Sequence, residues 1–78
     1  MTLEIITPEK ELYNGIVTSV KVPGSAGEFE ILNNHASIVS SLINGNIRVI
    51  NDQQEELNFN IKSGVIEMQK NKIVILAE

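Results

Sequence analysis

The 78-residue chain contains no cysteine and no tryptophan, and it has only one tyrosine, two phenylalanines and one histidine. Without cysteine, neither a disulfide nor a thiolate metal ligand is available. The lack of cysteine fits the cytosol or a membrane surface that faces it. The scarcity of aromatic rings removes the platforms on which nucleic-acid bases stack.

Basic residues are also few, with six Lys and Arg against ten Asp and Glu, for a formal net charge of -4. Nucleic acids and anionic lipids reward clustered positive charge, so neither is expected as the main partner. No apolar run approaches the length of a membrane span, and the N-terminus lacks a basic and then apolar signal. The length predicts one small domain, residues 1–78, without direct insertion into lipid.

The apolar residues that are present are mostly Ile and Val, which favour a pleated sheet over a helix. Turn signals recur about every 8–12 residues, and Asn14-Gly15 is the strongest hairpin signal. This rhythm predicts an all-β fold, a small antiparallel sandwich or barrel. Strands are predicted at 3–7, 16–22, 28–31, 36–43, 47–50, 57–61, 65–68 and 73–76. Segment 36–43 also fits one helical turn, but the surrounding sheet favours a strand, and Leu57, Phe59 and Ile61 are expected to share a buried face.

The one candidate for chemistry is the segment 23–35, PGSAGEFEILNNH. Glu28 and Glu30 are two apart on a predicted strand, so both side chains point to one face, and His35 follows soon after. Two carboxylates and an imidazole are able to bind a metal or transfer protons. The alternative, a solvated strand face beside a histidine in a turn, is the favoured interpretation. No catalytic residue and no metal site are therefore assigned.

Other residues receive structural interpretations. Arg48 is either a rim charge with a buried stem, the favoured interpretation, or an anchor for a partner. Phe29 and Phe59 are expected in the core. Turn and loop positions are assigned to one proline and all five glycines, Gly15, Pro23, Gly24, Gly27, Gly45 and Gly64.

Four stretches carry a family resemblance: LEIITPEKELYNGIVTSVKVPG, PGSAGEFEILNNHA, NGNIRVI and FNIKSGVIEMQKNKIVILAE, in that order. In sequence and spacing they resemble the epsilon subunit of F-type ATP synthase, over the whole chain. The resemblance implies the N-terminal domain of that subunit, a flattened β-sandwich of about ten short strands. It agrees with the fold class derived from the turn rhythm.

The resemblance also implies a role. The domain would be a non-catalytic rotor part that binds the gamma subunit and the polar loops of the c-ring at the cytoplasmic face of the cell membrane, without a cofactor. Glu28 and His35 match family positions that meet the c-ring, where a loop Arg would suit Glu28. The chain has Glu30 where the family usually has Gly, and Asn33 and Ser37 where it usually has Pro. These departures leave the conformation around His35 open.

Two other classes of function remain as alternatives. One is a free-standing β-sandwich that binds a small ligand or metal through Glu28, Glu30 and His35, and the other is a generic protein-interaction module. In the family that the chain resembles, many bacterial and chloroplast members continue into a C-terminal helical hairpin that can inhibit ATP hydrolysis. A subunit that ended at Glu78 is expected to couple rotation without inhibiting through that hairpin.

Overall fold

The computed structural model describes all 78 residues and contains eight β-strands. No helix of membrane-spanning length and hydropathy occurs in it. The strands are β1 (Thr2–Ile6), β2 (Glu11–Gly24), β3 (Gly27–Leu32), β4 (Ile38–Leu42), β5 (Gly45–Asn51), β6 (Glu56–Ile61), β7 (Gly64–Gln69) and β8 (Lys72–Ala77).

The strands form one sheet that folds over on itself. Hydrogen-bonded neighbours follow the order β1-β8-β7-β4-β2-β5-β6, β3 adds to the edge of β2, and β1 also pairs with β2. The long β2 therefore joins two layers: a first layer of β1, β8, β7 and β4, and a second layer of β3, β2, β5 and β6. All pairings are antiparallel except that of β1 with β8.

The core lies between the layers and receives side chains from all eight strands. Alternate residues point inward, as the period of a β-strand requires. The buried apolar residues are Leu3, Ile5, Val17, Val20, Val22, Ile31, Leu42, Ile47, Val49, Ile61, Ile66, Met68, Ile73, Ile75 and Ala77. The all-β prediction is thus confirmed, with eight strands instead of about ten.

The hairpin predicted at Asn14-Gly15 is wrong. Both residues lie inside β2, where Asn14 pairs with Glu4 and Gly15 with Leu3 of β1. The chain turns earlier, between Thr7 and Lys10, where the Thr7 hydroxyl accepts a hydrogen bond from the Lys10 amide at 3.1 Å. Pairing with β1 therefore overrides the local turn preference, and one 14-residue strand replaces two shorter elements.

Other predicted elements agree with the structure more closely. The ambiguous segment is a strand, β4, as favoured. The alternation of Leu57, Phe59 and Ile61 along β6 is confirmed, but only Ile61 is fully buried. Leu57 and Phe59 are half-buried because β6 is an edge strand, and the Phe59 ring meets Tyr13 edge-to-face with centroids 6.0 Å apart.

The remaining turn residues lie at strand ends. Pro23 and Gly24 close β2, and Gly45 and Gly64 open β5 and β7. Gly24 is needed for close approach, because a Cβ there would lie 2.6 Å from the carbonyl oxygen of Gly27. Gly27 itself has a φ of 132°, which a residue with a side chain rarely adopts. The β2–β3 turn therefore depends on both glycines.

Candidate functional site

The two carboxylates of the candidate cluster lie on β3, an edge strand whose one neighbour is β2. Glu28 pairs with Pro23 and Glu30 with Lys21, so both carboxylates are on the outer face of the second layer, as predicted. Phe29, between them, packs half-buried against the core. The alternation of polar and apolar residues is therefore what turns this pair outward.

Glu30 is held by two neighbours on that face. Its Oε2 accepts a hydrogen bond from the Ser19 hydroxyl at 2.6 Å and one from Arg48 Nη2 at 2.7 Å. The Ser19 hydrogen bond, partly offset by desolvation and reinforced by the Arg48 charge, lowers the pKa of Glu30 below its ordinary value of 4.5. Glu30 is therefore an ionised partner for two side chains of its own fold, and not a free ligand.

Arg48 is accordingly an ion-paired residue of the second layer, with about a third of its side chain exposed. Its Nε is buried and has no hydrogen-bond partner. The register of β5 on β2 places Arg48 beside Lys21, and that of β2 on β3 places Lys21 beside Glu30. The interpretation as a rim charge with a partly buried stem describes this geometry.

Glu28 is more exposed and has one charged neighbour, with Lys21 Nζ 3.1 Å from Oε1. More than half of its side-chain surface is open to solvent. We call the outward residues Ser19, Lys21, Glu28, Glu30 and Arg48 the charged face. On it, Glu28 is the carboxylate with most surface left for a partner.

His35 does not join the two carboxylates. It follows the turn beyond the far end of β3, whereas Glu28 lies beside the turn at the near end. Its Nδ1 is 2.7 Å from the carbonyl oxygen of Ala36, and its amide donates to Leu32 at 3.1 Å. No three His, Asp or Glu residues are grouped to hold a metal ion. The structure therefore gives Glu28, Glu30 and His35 no shared centre.

A second feature was missed by the sequence prediction, an apolar surface on the outside of the first layer. Val39 is 69% exposed, Leu76 55% and Val65 44%, while Val74 and Ile6 beside them are half-buried. Cross-strand register places Val65 opposite Leu76 and Leu76 opposite Ile6, while the exposed Glu67 lies between Val39 and Val74. We call the five apolar residues the apolar face.

The apolar face continues at one end into a groove of about 510 Å³, lined partly by Ile6, Val65, Leu76 and Pro8. The other exposed large apolar side chains, Ile16, Leu32 and Ile43, lie outside this face. A signal for it exists in the sequence, since residues 73–76 are continuously apolar instead of alternating. Such runs are typical of strands that are covered on both sides.

Comparison with known proteins gives a consistent result. The family model for the β-sandwich domain of the ATP synthase delta/epsilon chain matches residues 1–78. The ATP synthase epsilon chain of Protochlamydia amoebophila is 41% identical over 76 residues, which are 97% of this chain and 52% of that protein. The epsilon chain of Chlorobium limicola is 38% identical over 76 residues, 97% of this chain and 86% of that protein. The chain thus spans about half of the first relative and most of the second.

Solved structures agree on the fold. A chain of the Euglena gracilis mitochondrial ATP synthase, in a structure of its OSCP, F1 and c-ring, superposes with a TM-score of 0.87 at 16% identity. That match covers 96% of this chain and 48% of the other. A chain of the central stalk and c-ring structure from Tetrahymena thermophila gives a TM-score of 0.81 at 17% identity, covering 99% and 62%. At these identities the likeness is one of fold.

Proposed function

This chain belongs to the family of ATP synthase delta/epsilon chains, as their β-sandwich domain, and we propose that it acts as a non-catalytic subunit of the central stalk. In this role it binds the gamma subunit and the c-ring of an F-type, proton-transporting ATP synthase. It holds the two together, so that rotation of the ring is transmitted to gamma without slipping. The site of action is the cytoplasmic face of the cell membrane, as a peripheral part of the complex.

The observation that carries the proposal is the apolar face. Large apolar side chains that are clustered and exposed on one side of a small domain are typical of a surface that binds another protein. Val39, Val65 and Leu76 project from three neighbouring strands, so they offer a broad surface that includes the groove beside Val65 and Leu76. We assign this surface to the gamma subunit, because a permanent stalk contact needs an apolar centre from which water is excluded.

The c-ring contact is proposed along β3. Glu28 lies at one end of this edge strand and His35 beyond the other, so a flat array of ring loops is able to touch both. Glu28 keeps exposed carboxylate surface beside Lys21 and suits a loop Arg of the ring as an ion-pair partner at the rim. The contact is polar and therefore complements the apolar contact with gamma.

The alternative of a metal or small-ligand site has less support. Glu30 already accepts hydrogen bonds from Ser19 and Arg48, Glu28 faces Lys21, and His35 lies past the opposite end of β3. Binding a metal through all three would require breaking two ion pairs and moving a loop. A generic interaction module would share the apolar face, and the identity of the partner separates that alternative from the proposal.

The test is assembly of the full chain into its own ATP synthase. Single cysteines at positions 28 and 35 are introduced into the cysteine-free chain, and cysteines are placed in the polar loop of the c-ring. A third variant carries cysteine at position 65, on the apolar face, with partners in gamma. We expect ring crosslinks from positions 28 and 35 and gamma crosslinks from position 65.

The matched control is a cysteine at position 58, opposite Arg48 and on the outer side of β6, a strand that is three strands away from β3 and on the other layer from Val65. It is expected to crosslink to neither partner. If the chain assembles but positions 28 and 35 crosslink only to catalytic subunits, the ring contact is wrong. If the chain does not co-purify with gamma from native membranes, the central-stalk role is wrong and the generic interaction module becomes the better hypothesis.

A further inference from the structure

Three separate segments meet where β3 ends. They are the N-terminus, the turn at Asn33 and Asn34 that leads to His35, and the turn at Lys70 and Asn71 between β7 and β8. The contacts that join them use backbone groups, one terminal ammonium and two asparagine side chains. The backbone contacts continue the pairing of β1 with β2 and β8, whereas the contacts through Asn33 and Asn71 Oδ1 lie outside the strand ladders and join the His35 turn to the other two segments.

The first contact ties the turn to the N-terminus. The Met1 ammonium donates to Asn33 Oδ1 at 2.8 Å and to the Val17 carbonyl oxygen at 3.3 Å. Met1 is itself fixed, since its carbonyl oxygen accepts from the Val17 amide at 2.9 Å. Two hydrogen bonds from one nitrogen require at least two N–H groups, and a free terminal ammonium supplies three.

The second contact ties the turn to the β7–β8 connection. The Asn34 amide donates to Asn71 Oδ1 at 2.9 Å, while the carbonyl oxygen of Asn71 accepts from the Thr2 amide at 3.1 Å. Asn34 and Asn71 have φ values of 63° and 61°. Asparagine adopts this left-handed conformation more readily than most residues, so both turns are formed at little cost. Asn71 thus bridges the start of β1 and the His35 turn.

We propose that Asn33 and Asn71 are positioning residues, which hold the loop carrying His35 against the N-terminus and the β7–β8 turn. Each side chain acts through its Oδ1 as an acceptor, Asn33 for the terminal ammonium and Asn71 for the Asn34 amide. The inference rests on the proposed function for its significance, since the loop would be held for contact with the c-ring. Its geometry, however, is testable in the chain alone.

A chemical consequence follows for the N-terminus. Acetylation or retained formylation of Met1 removes the positive charge and leaves a single N–H. The blocked amide is then unable to donate to Asn33 and Val17 through two separate hydrogens. A chain whose Met1 amine is free would therefore hold the His35 loop more firmly than one in which this amine is blocked.

The experiment is amide hydrogen exchange by NMR on the full 78-residue chain, with the Asn34 and His35 amides as reporters. Asn33→Ala removes one acceptor, and Asn71→Gly removes the other while keeping a residue that tolerates positive φ. Both are expected to speed exchange of the reporters by about two- to tenfold, the range set by one net hydrogen bond. Asn33→Asp and Asn71→Asp keep an acceptor oxygen and are expected to restore slow exchange.

The control is Asn58→Ala, which removes hydrogen bonds to Asn46 on β5 and Glu56 on β6, two and three strands away from β3, and should leave the reporters unchanged. Nα-acetylation of the unmutated chain tests the first contact without any substitution and should also speed exchange. Unchanged reporter exchange in Asn33→Ala and after acetylation overturns the tie to the N-terminus. Unchanged exchange in Asn71→Gly, or aspartate variants that behave like the truncations, overturns the role of the acceptors.

A second readout separates this inference from the function on which it rests. In the assembled complex, Asn33→Ala should reduce ring crosslinking from a cysteine at position 35 and leave that from position 28 unchanged. If position 35 does not crosslink even with Asn33 intact, the ring contact fails while the exchange result still stands. If Asn33→Ala lowers crosslinking at both positions equally, a local positioning role is contradicted.

Discussion

The two outer faces of this small sandwich are built from the same kind of strand but differ in what they present. On the first layer, Val39, Val65 and Leu76 leave large apolar surfaces in water. On the second layer, Glu30 joins Ser19 and Arg48, Lys21 faces Glu28, and the exposed Leu32 lies beside them. The charged face pairs its charges within the fold and leaves only the buried Arg48 Nε without a partner, whereas the apolar face has nothing of its own to cover it.

The difference between the apolar face and the charged face corresponds to two kinds of protein contact. Affinity in protein interfaces comes mainly from a few large side chains that are fully desolvated at the centre, and exposed charges at the rim contribute little. The apolar face therefore has the composition of the tight contact and the charged face that of the orienting one. The proposed role, in which the domain would join gamma to the polar loops of a ring, would use one of each.

The comparison is tested most strongly on β8, where inward and outward residues are adjacent. Ile75→Ala should destabilise the fold by roughly 2–5 kcal/mol, because Ile75 is fully buried and its truncation leaves a cavity. Leu76→Ala, which removes exposed surface, should change the unfolding free energy by no more than about 0.5 kcal/mol. Urea unfolding of both variants gives the values. Equal destabilisation would mean that the apolar face is covered by the domain itself.

The next effect concerns binding. Leu76→Asp places a charge in the middle of the apolar face and should weaken binding to gamma by at least about thirtyfold, the value expected for a central interface residue. The matched control is Asn58→Asp, which adds the same charge on the exposed side of the other layer. Titration calorimetry with gamma measures both. Should Asn58→Asp weaken binding as much as Leu76→Asp, gamma does not distinguish the faces.

Much of this architecture was predictable because local pattern and packing agree. The all-β class, the alternation along β6, the strand at β4 and the family resemblance are all confirmed. The exception is instructive, since Asn14-Gly15 has the strongest local turn preference and yet lies in mid-strand. Pairing with Glu4 and Leu3 decides the conformation of this dipeptide, and the residues next to it in the sequence do not reveal that pairing.

The site was predicted less well, because its contacts are set by sheet register. Glu30 and Arg48 are 18 residues apart and meet only through the pairing of β3, β2 and β5. Glu28 and His35 are close in sequence, but an extended strand rises about 3.3 Å per residue and carries them to opposite ends of β3. Nearness along the chain made one centre conceivable, but the two positions that the fold makes agree with the favoured interpretation, a solvated strand face beside a histidine in a turn.

A smaller effect is expected from acid on the charged face. The pKa of Glu30 is lowered in the folded state, by the Ser19 hydrogen bond first and by Arg48 as well. The ionised carboxylate therefore stabilises the fold above its unfolded-state pKa, and this contribution is lost as the pH falls through the lower folded-state pKa. Glu30→Gln keeps an acceptor for Ser19 but removes the charge that pairs with Arg48.

The measurement is urea unfolding of the unmutated chain and of Glu30→Gln at about pH 7 and about pH 3. The unmutated chain should be the more stable at neutral pH, and the difference should shrink in acid as Glu30 becomes protonated. A difference that is the same at both pH values would mean that the Glu30 charge contributes nothing to the folded state. In that case the Glu30–Arg48 pair would not stabilise the fold, and both charges would be available to a partner.

The smallest effect is expected at the rim. Glu28→Ala should weaken assembly with the c-ring by only about 0–1 kcal/mol, because an exposed ion pair gains little in water. The substitution also frees Lys21, whose Nζ lies 3.1 Å from the Glu28 carboxylate, to repel the proposed loop Arg of the ring, although Glu30 stays beside it. Comparison with Glu28→Ala/Lys21→Ala separates the lost attraction from the new repulsion.

Because rim charges act mainly on the approach of partners, the change should appear in the association rate at low salt and fade at high salt. If Glu28→Ala abolishes assembly as completely as Leu76→Asp abolishes binding to gamma, the charged face is a central contact and the contrast between the two faces is wrong.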